Sequence, residues 1–137
     1  MEIIQELSRG RHCVSALHVH LVFVTKYRYR VFDRDALDRL RRLFAKICTD
    51  FESQLTDMDG QDHHVHLLVR YPPKVAISKL VNSLKGVSSR LLRQERPDLA
   101  PRYWKGRLWS PSYFAASCGG ASLNILESYI QQQNTPL

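Results

Sequence analysis

Two histidines one residue apart, His64 and His66, stand in the run Asp62-His63-His64-Val65-His66-Leu67-Leu68-Val69. The run alternates with the period of a strand, whose successive side chains point to opposite faces. His64 and His66 therefore emerge on one face, roughly 7 Å apart along the backbone. Imidazoles so placed can converge on one metal ion, with Val65 anchored behind them in the core. The competing use of the pair is structural: two half-buried strand histidines with local hydrogen bonds. A second chemical pair lies near the end of the chain. Tyr129 and Gln133 stand at i, i+4 in a helical stretch, so both project from one face about one turn apart. Two imidazole nitrogens and an amide oxygen make three ligands and leave positions open for water and substrate oxygens. A tyrosine one turn from the amide would hold its phenol near that metal.

The elements that must position these groups follow from periodicity. Leu17 to Thr25 is apolar and β-branched, a strand buried on both faces or nearly so. The basic, aromatic run Lys26-Tyr27-Arg28-Tyr29-Arg30 follows it. Asp33 is placed to cap a helix to about Glu52, with Leu37, Leu40, Phe44, Ile47 and Phe51 as its apolar stripe. Residues 53–58 predict a short strand, and Asp59-Gly60 a hairpin turn into the histidine strand. After Pro72-Pro73, a helix from about Val75 to Arg93 carries Ile77, Leu80, Val81, Leu84, Val87, Leu91 and Leu92 on its core side. Lys79, Asn82, Lys85, Ser89, Arg90 and Arg93 point elsewhere. Residues 94–109 are irregular, Tyr113 to Cys118 is a last strand, and Gly119-Gly120 precedes a helix from about Ser122 to Gln133. The first six elements match an α+β, ferredoxin-like split βαβ plan with an antiparallel sheet, to which a C-terminal helix is added. That plan puts the histidine strand at the middle of the sheet, next to the first strand. The 137 residues form a single domain, with 1–15 a loose lead-in and 121–137 the C-terminal helix and tail.

Charge narrows the partners. Residues 1–62 carry ten Lys/Arg and ten Asp/Glu, whereas residues 63–137 carry ten Lys/Arg and only Glu95, Asp98 and Glu127, the whole net charge of +7. Such asymmetry favours a polyanion-binding half, most simply nucleic acid. No apolar run approaches a membrane span, and Met1 to Glu6 lacks the pattern of a secretory signal. Cys13, Cys48 and Cys118, odd in number and widely spaced, read as small buried residues of a cytoplasmic protein.

The chain resembles the one-tyrosine HUH transposases of the insertion sequence 200/605 family, which move DNA as single strands. The resemblance is carried by His-Leu-Val-Phe-Val-Thr-Lys-Tyr-Arg (20–28), Asp-His-His-Val-His-Leu-Leu-Val (62–69), Leu-Lys-Gly (84–86), Leu-Trp-Ser-Pro-Ser-Tyr (108–113) and Tyr-Ile-Gln-Gln-Gln (129–133). The family pattern is Asp-His-Val-His, so this chain has one histidine more. By the resemblance, His64, His66 and Gln133 bind Mg²⁺, for which Mn²⁺ would substitute, and Tyr129 is the nucleophile. Its attack would expel a 3′-hydroxyl and leave a 5′-phosphotyrosine bond that a second 3′-hydroxyl can reverse. The implied partners are single-stranded DNA with hairpin ends and a second copy of the chain. Tyr129 and Gln133 would reach the partner's histidine strand across a hinge at Gly119 and Gly120. Phosphate contacts are expected from Lys26, Arg28, Lys79, Lys85, Arg90, Arg93, Lys105 and Arg107, and base stacking from Trp104 or Trp109.

Competing assignments fit less of the chain. Two-histidine phosphodiesterases want His-x-Ser/Thr, and the histidine-triad nucleotide hydrolases want a third alternating histidine where Leu68 stands. A domesticated relative that processes repeat hairpins is the nearest variant. A non-catalytic ferredoxin-like RNA- or single-strand-binding module explains the charge but not Tyr129 and Gln133. His18 and His20 are assigned to structure or to support of the site.

Overall fold

The computed structural model describes residues 7–9, 14–103 and 107–119. Six strands and two long helices follow one another: β1 Ser8–Arg9, β2 Val14–Ser15, β3 His18–Val24, α1 Arg34–Asp50, β4 Gln54–Gly60, β5 His64–Arg70, α2 Ile77–Glu95 and β6 Phe114–Cys118. The last four strands to pair form one antiparallel sheet in the order β4-β5-β3-β6, with the histidine strand β5 central and beside β3. This is the expected split βαβ arrangement. The C-terminal helix expected over 122–133, with Tyr129 and Gln133, lies outside the described residues, as do Gly120, Lys105, Trp104 and Cys13.

Alternation decides which face is which. Val19, Leu21 and Phe23 of β3 and Val65, Leu67 and Val69 of β5 share a core with Leu40, Phe44 and Ile47 of α1 and Leu80, Val81 and Leu84 of α2. Each of these fully buried aliphatic or aromatic side chains contributes about 1.5–3 kcal/mol relative to exposure. The residues between them, His20 and Val22 on β3 and His64 and His66 on β5, are thereby turned to the opposite face. Asp33 caps α1 by accepting the Ala36 N–H at 2.8 Å, as its sequence position predicts.

Four details depart from the sequence reading. Ser8–Arg9 pairs with Val14–Ser15 inside the expected lead-in; strands of two residues are too short to show a period. The hairpin turn falls two residues late: Asp59 and Gly60 still pair with His66 and Val65, and the Gln61 N–H closes the turn on the His64 carbonyl at 2.9 Å. Gly60 serves close packing instead, since a Cβ there would meet Leu37 Cδ2 at 2.7 Å. Ser89, assigned to the polar side of α2, is buried with Ser88. Ser89 Oγ accepts the Leu108 N–H at 3.1 Å and Ser88 Oγ accepts the Trp109 indole N–H at 3.0 Å. Among the described residues no helix is long and apolar enough to cross a membrane.

Candidate active site

Registers across the sheet build the site. Val24 stands opposite His64, Val22 opposite His66, and His66 is flanked on its other side by Asp59 of β4. Residues directly opposite in an antiparallel pair share a face, so these side chains form one patch. The His64 and His66 rings lie 5.1 Å apart between centroids, edge to face at 79°. His20, diagonal to His66, places Nε2 3.0 Å from His66 Nδ1 and stacks on it at 5.2 Å. At the other end His63 sits edge-on to His64 at 4.6 Å, with Nδ1 2.9 Å from Asp62 Oδ1. Four imidazoles thus form one contiguous row, and the additional histidine of the motif is its outer member. Asp62 also pairs with Arg30 at 3.5 Å.

Burial lowers the pKa of His20, His64 and His66. It is the largest influence holding His66 down to about 4, ahead of the neighbouring His20 and His64. Burial likewise lowers His64, with His63 adding to the effect and Asp59 and Asp62 opposing it, and burial lowers His20. Neutral imidazoles at neutral pH are the form that binds a metal. A pocket of about 240 Å³, lined by Val22, Val24, Arg28, His63, His64 and His66, opens in front of the pair. The donor set fits a divalent cation with two nitrogen ligands. Among the described residues no group of three or more His, Cys, Asp or Glu could hold a metal ion.

The segment after β3 frames the site. Thr25 is fully buried, bridges to Trp109 and donates from Oγ1 to the Tyr29 carbonyl at 2.8 Å. Tyr27 and Arg28 both adopt positive φ, 61° and 53°, a conformation that few non-glycine residues take. Opposite them, Lys85 donates from Nζ to the carbonyls of Ser110 at 2.6 Å, Pro111 at 3.1 Å and Ser112 at 3.5 Å. Its ammonium also lies 5.5 Å from the Tyr113 ring centre, and burial lowers its pKa. A phosphate contact from Lys85 was expected; a clamp on three successive carbonyls had no signal in the sequence. Lys79, Arg90 and Arg107 are exposed, Arg107 lining a groove with Lys85 and Gly86, while Arg93 donates from Nε to the Ser89 carbonyl at 3.0 Å. Trp109 is 4% exposed and packs on Phe23, Phe32 and Phe44, so it is a core residue and not a base-stacking surface.

The described residues thus give an antiparallel sheet with paired histidines on a central strand, and Lys79, Arg90 and Arg107 exposed on the same chain. The profile of IS200-like transposases matches residues 13–133, and the chain belongs to that family. It is 32% identical to the ISDra2 transposase TnpA of Deinococcus radiodurans over 94% of this chain and 92% of that one. It is 28% identical to the transposase for insertion sequence element IS200 of Salmonella typhimurium, over 83% of this chain and 74% of that one. A Deinococcus radiodurans R1 crystal structure described as a transposase superposes with a TM-score of 0.76 at 32% identity, covering 92% of this chain and 97% of that chain. A REP-associated tyrosine transposase bound to a REP hairpin shares the fold, with a TM-score of 0.56 at 12% identity over 93% of this chain and 73% of that one. The function is that of a transposase.

Proposed function

We propose that the chain cleaves and rejoins single-stranded DNA at insertion-sequence ends through a 5′-phosphotyrosine intermediate. The observation that carries the reading is the pair His64 and His66, on one face of the central strand beside the pocket that Arg28 lines, with burial lowering the pKa of both. Together with Gln133 they would hold Mg²⁺ or Mn²⁺. The ion, when bound, would polarise the scissile phosphate, which lowers the nucleophilicity required of a phenol with an ordinary pKa of about 10.

The chain's own groups do the rest. The Tyr129 oxygen gives up its proton to solvent and bonds to phosphorus, while the bond from phosphorus to the 3′-oxygen breaks and that oxygen takes up a proton. Arg28 at the pocket edge neutralises phosphate charge. His66, with Nδ1 held by His20, presents Nε2 as its donor atom. Lys26, Lys79, Arg90, Arg93, Lys105 and Arg107 contact backbone phosphates of hairpin-bearing DNA in the cytoplasm, and Lys85 shapes the adjoining loop. The active form is a homodimer in which Tyr129 and Gln133 reach the other subunit's histidines across Gly119 and Gly120.

The test is substitution of one ligand at a time. His64→Ala or His66→Ala should abolish cleavage while leaving hairpin binding largely intact, and full cleavage by either variant would remove the metal assignment. Sharing of sites is tested by mixing His64→Ala/His66→Ala protein with Tyr129→Phe protein under subunit exchange. Recovered cleavage supports a site formed between subunits; a silent mixture with exchange confirmed contradicts it.

A further inference from the structure

A second pocket of about 270 Å³ adjoins the histidine pocket and is lined by Val24, Thr25, Tyr27, Arg28, Ser110 and Ser112. The two pockets share Val24 and Arg28 in their linings. Both walls of the second pocket are held. Thr25 Oγ1 pins the Tyr29 carbonyl on one side, and Lys85 grips the Ser110, Pro111 and Ser112 carbonyls on the other. Tyr27 is 67% exposed, although a large aromatic ring is costly to leave in water. Its left-handed backbone, followed by the same at Arg28, is an observed outlier of the kind that concentrates at ligand sites.

We propose that this pocket is a nucleotide subsite: it takes the nucleotide next to the phosphate held at His64 and His66, with the base on the Tyr27 ring. The lining matches the three parts of such a ligand. The Tyr27 ring, with the Lys26 ammonium 5.2 Å from its centre and the Tyr29 ring at 5.4 Å, is still largely exposed and offers a base the part of its surface they leave open. The Ser110 and Ser112 hydroxyls, 3.3 Å apart, each donate and accept and so can meet a base edge. Arg28 stands where the phosphate between the two pockets would pass. The subsite rests on the single-strand cleavage reading above.

The test uses the full chain carrying Tyr129→Phe, so that DNA binds without being cut. The cleavage junction is first mapped with unsubstituted protein, and 2-aminopurine then replaces each flanking base of the single-stranded oligonucleotide in turn. At one flanking position, binding should quench the fluorescence. Tyr27→Asn should restore it and weaken oligonucleotide affinity about tenfold, as loss of one stacked base implies. Asparagine tolerates the left-handed backbone, so the turn is kept. Tyr27→Phe, which keeps the ring, should retain the quench. Quenching and affinity unchanged by Tyr27→Asn would overturn the subsite alone. Failure of the Tyr129→Phe protein to bind single-stranded DNA at all would overturn the reading beneath it, and the subsite with it.

Discussion

His20 and His66, 46 residues apart in the chain, meet on neighbouring strands with Nε2 of one 3.0 Å from Nδ1 of the other. The contact holds the orientation of one member of the histidine pair, because His66 cannot rotate without losing it. A group that orients a metal-binding imidazole in this way typically accounts for 10–100-fold in metal affinity, by general experience with such ligands.

His20→Phe keeps a ring against His66 but removes the nitrogen. It should weaken Mn²⁺ binding by roughly 10–100-fold in a calorimetric titration, whereas His20→Gln, which can still accept a hydrogen bond, should lose less. Equal affinities for all three proteins would show that His20 is packing alone.

Arg96 joins the start of α1 to the end of α2. Its guanidinium meets Asp33 at 2.8 and 2.9 Å, Asp35 at 3.0 Å and Asp98 at 2.9 Å, and its side chain is 17% exposed. The hydrogen bond from Arg96, ahead of the Ala36 N–H, holds Asp33 down to about 2 from 3.8. A depressed carboxyl stabilises the fold above its ordinary pKa, and that share is lost as pH falls from about 4 toward 2. Because Asp33 is largely exposed, water screens the pair and the effect is modest. Arg96→Met should cost about 1 kcal/mol in urea unfolding at pH 7 and much less near pH 2. A loss independent of pH would locate the role of Arg96 in packing instead.

Gly60 lies against Leu37, and a methyl group there must displace that side chain. Gly60→Ala should destabilise by about 1 kcal/mol through overpacking. In a Leu37→Ala background the same change should cost less, since the space is then available. Additive losses in the double-mutant cycle would show that the two positions do not press on one another.

Periodicity carried most of the architecture. The stripe from Leu37 to Phe51 and the alternation around Val65 are local patterns, and they sufficed to place α1, β5 and the helix-covered face. Relations that span the chain had no such signature. His20 could be seen to share a period with His18, but nothing in the sequence brings it to His66. Lys85 has the composition of a phosphate contact, and only the fold shows it turned onto the Ser110–Ser112 carbonyls. Ser89 reads as polar surface, and only the fold shows its hydroxyl buried and satisfied by the Leu108 N–H, about twenty residues on. Gly60 stands in a dipeptide that marks turns, yet its use is the approach of α1 to the sheet.

The central claim is that a tyrosine of this chain becomes covalently joined to DNA with the histidine pair's help. Protein is incubated with a hairpin-bearing single-stranded oligonucleotide and Mg²⁺, digested, and the peptides are sequenced by mass spectrometry. The account predicts a peptide carrying a 5′-phosphorylated nucleotide on Tyr129, present with Mg²⁺ and lost in Tyr129→Phe, His64→Ala and His66→Ala. Cleavage without any adduct, or an adduct on Tyr27 or Tyr113, would contradict it.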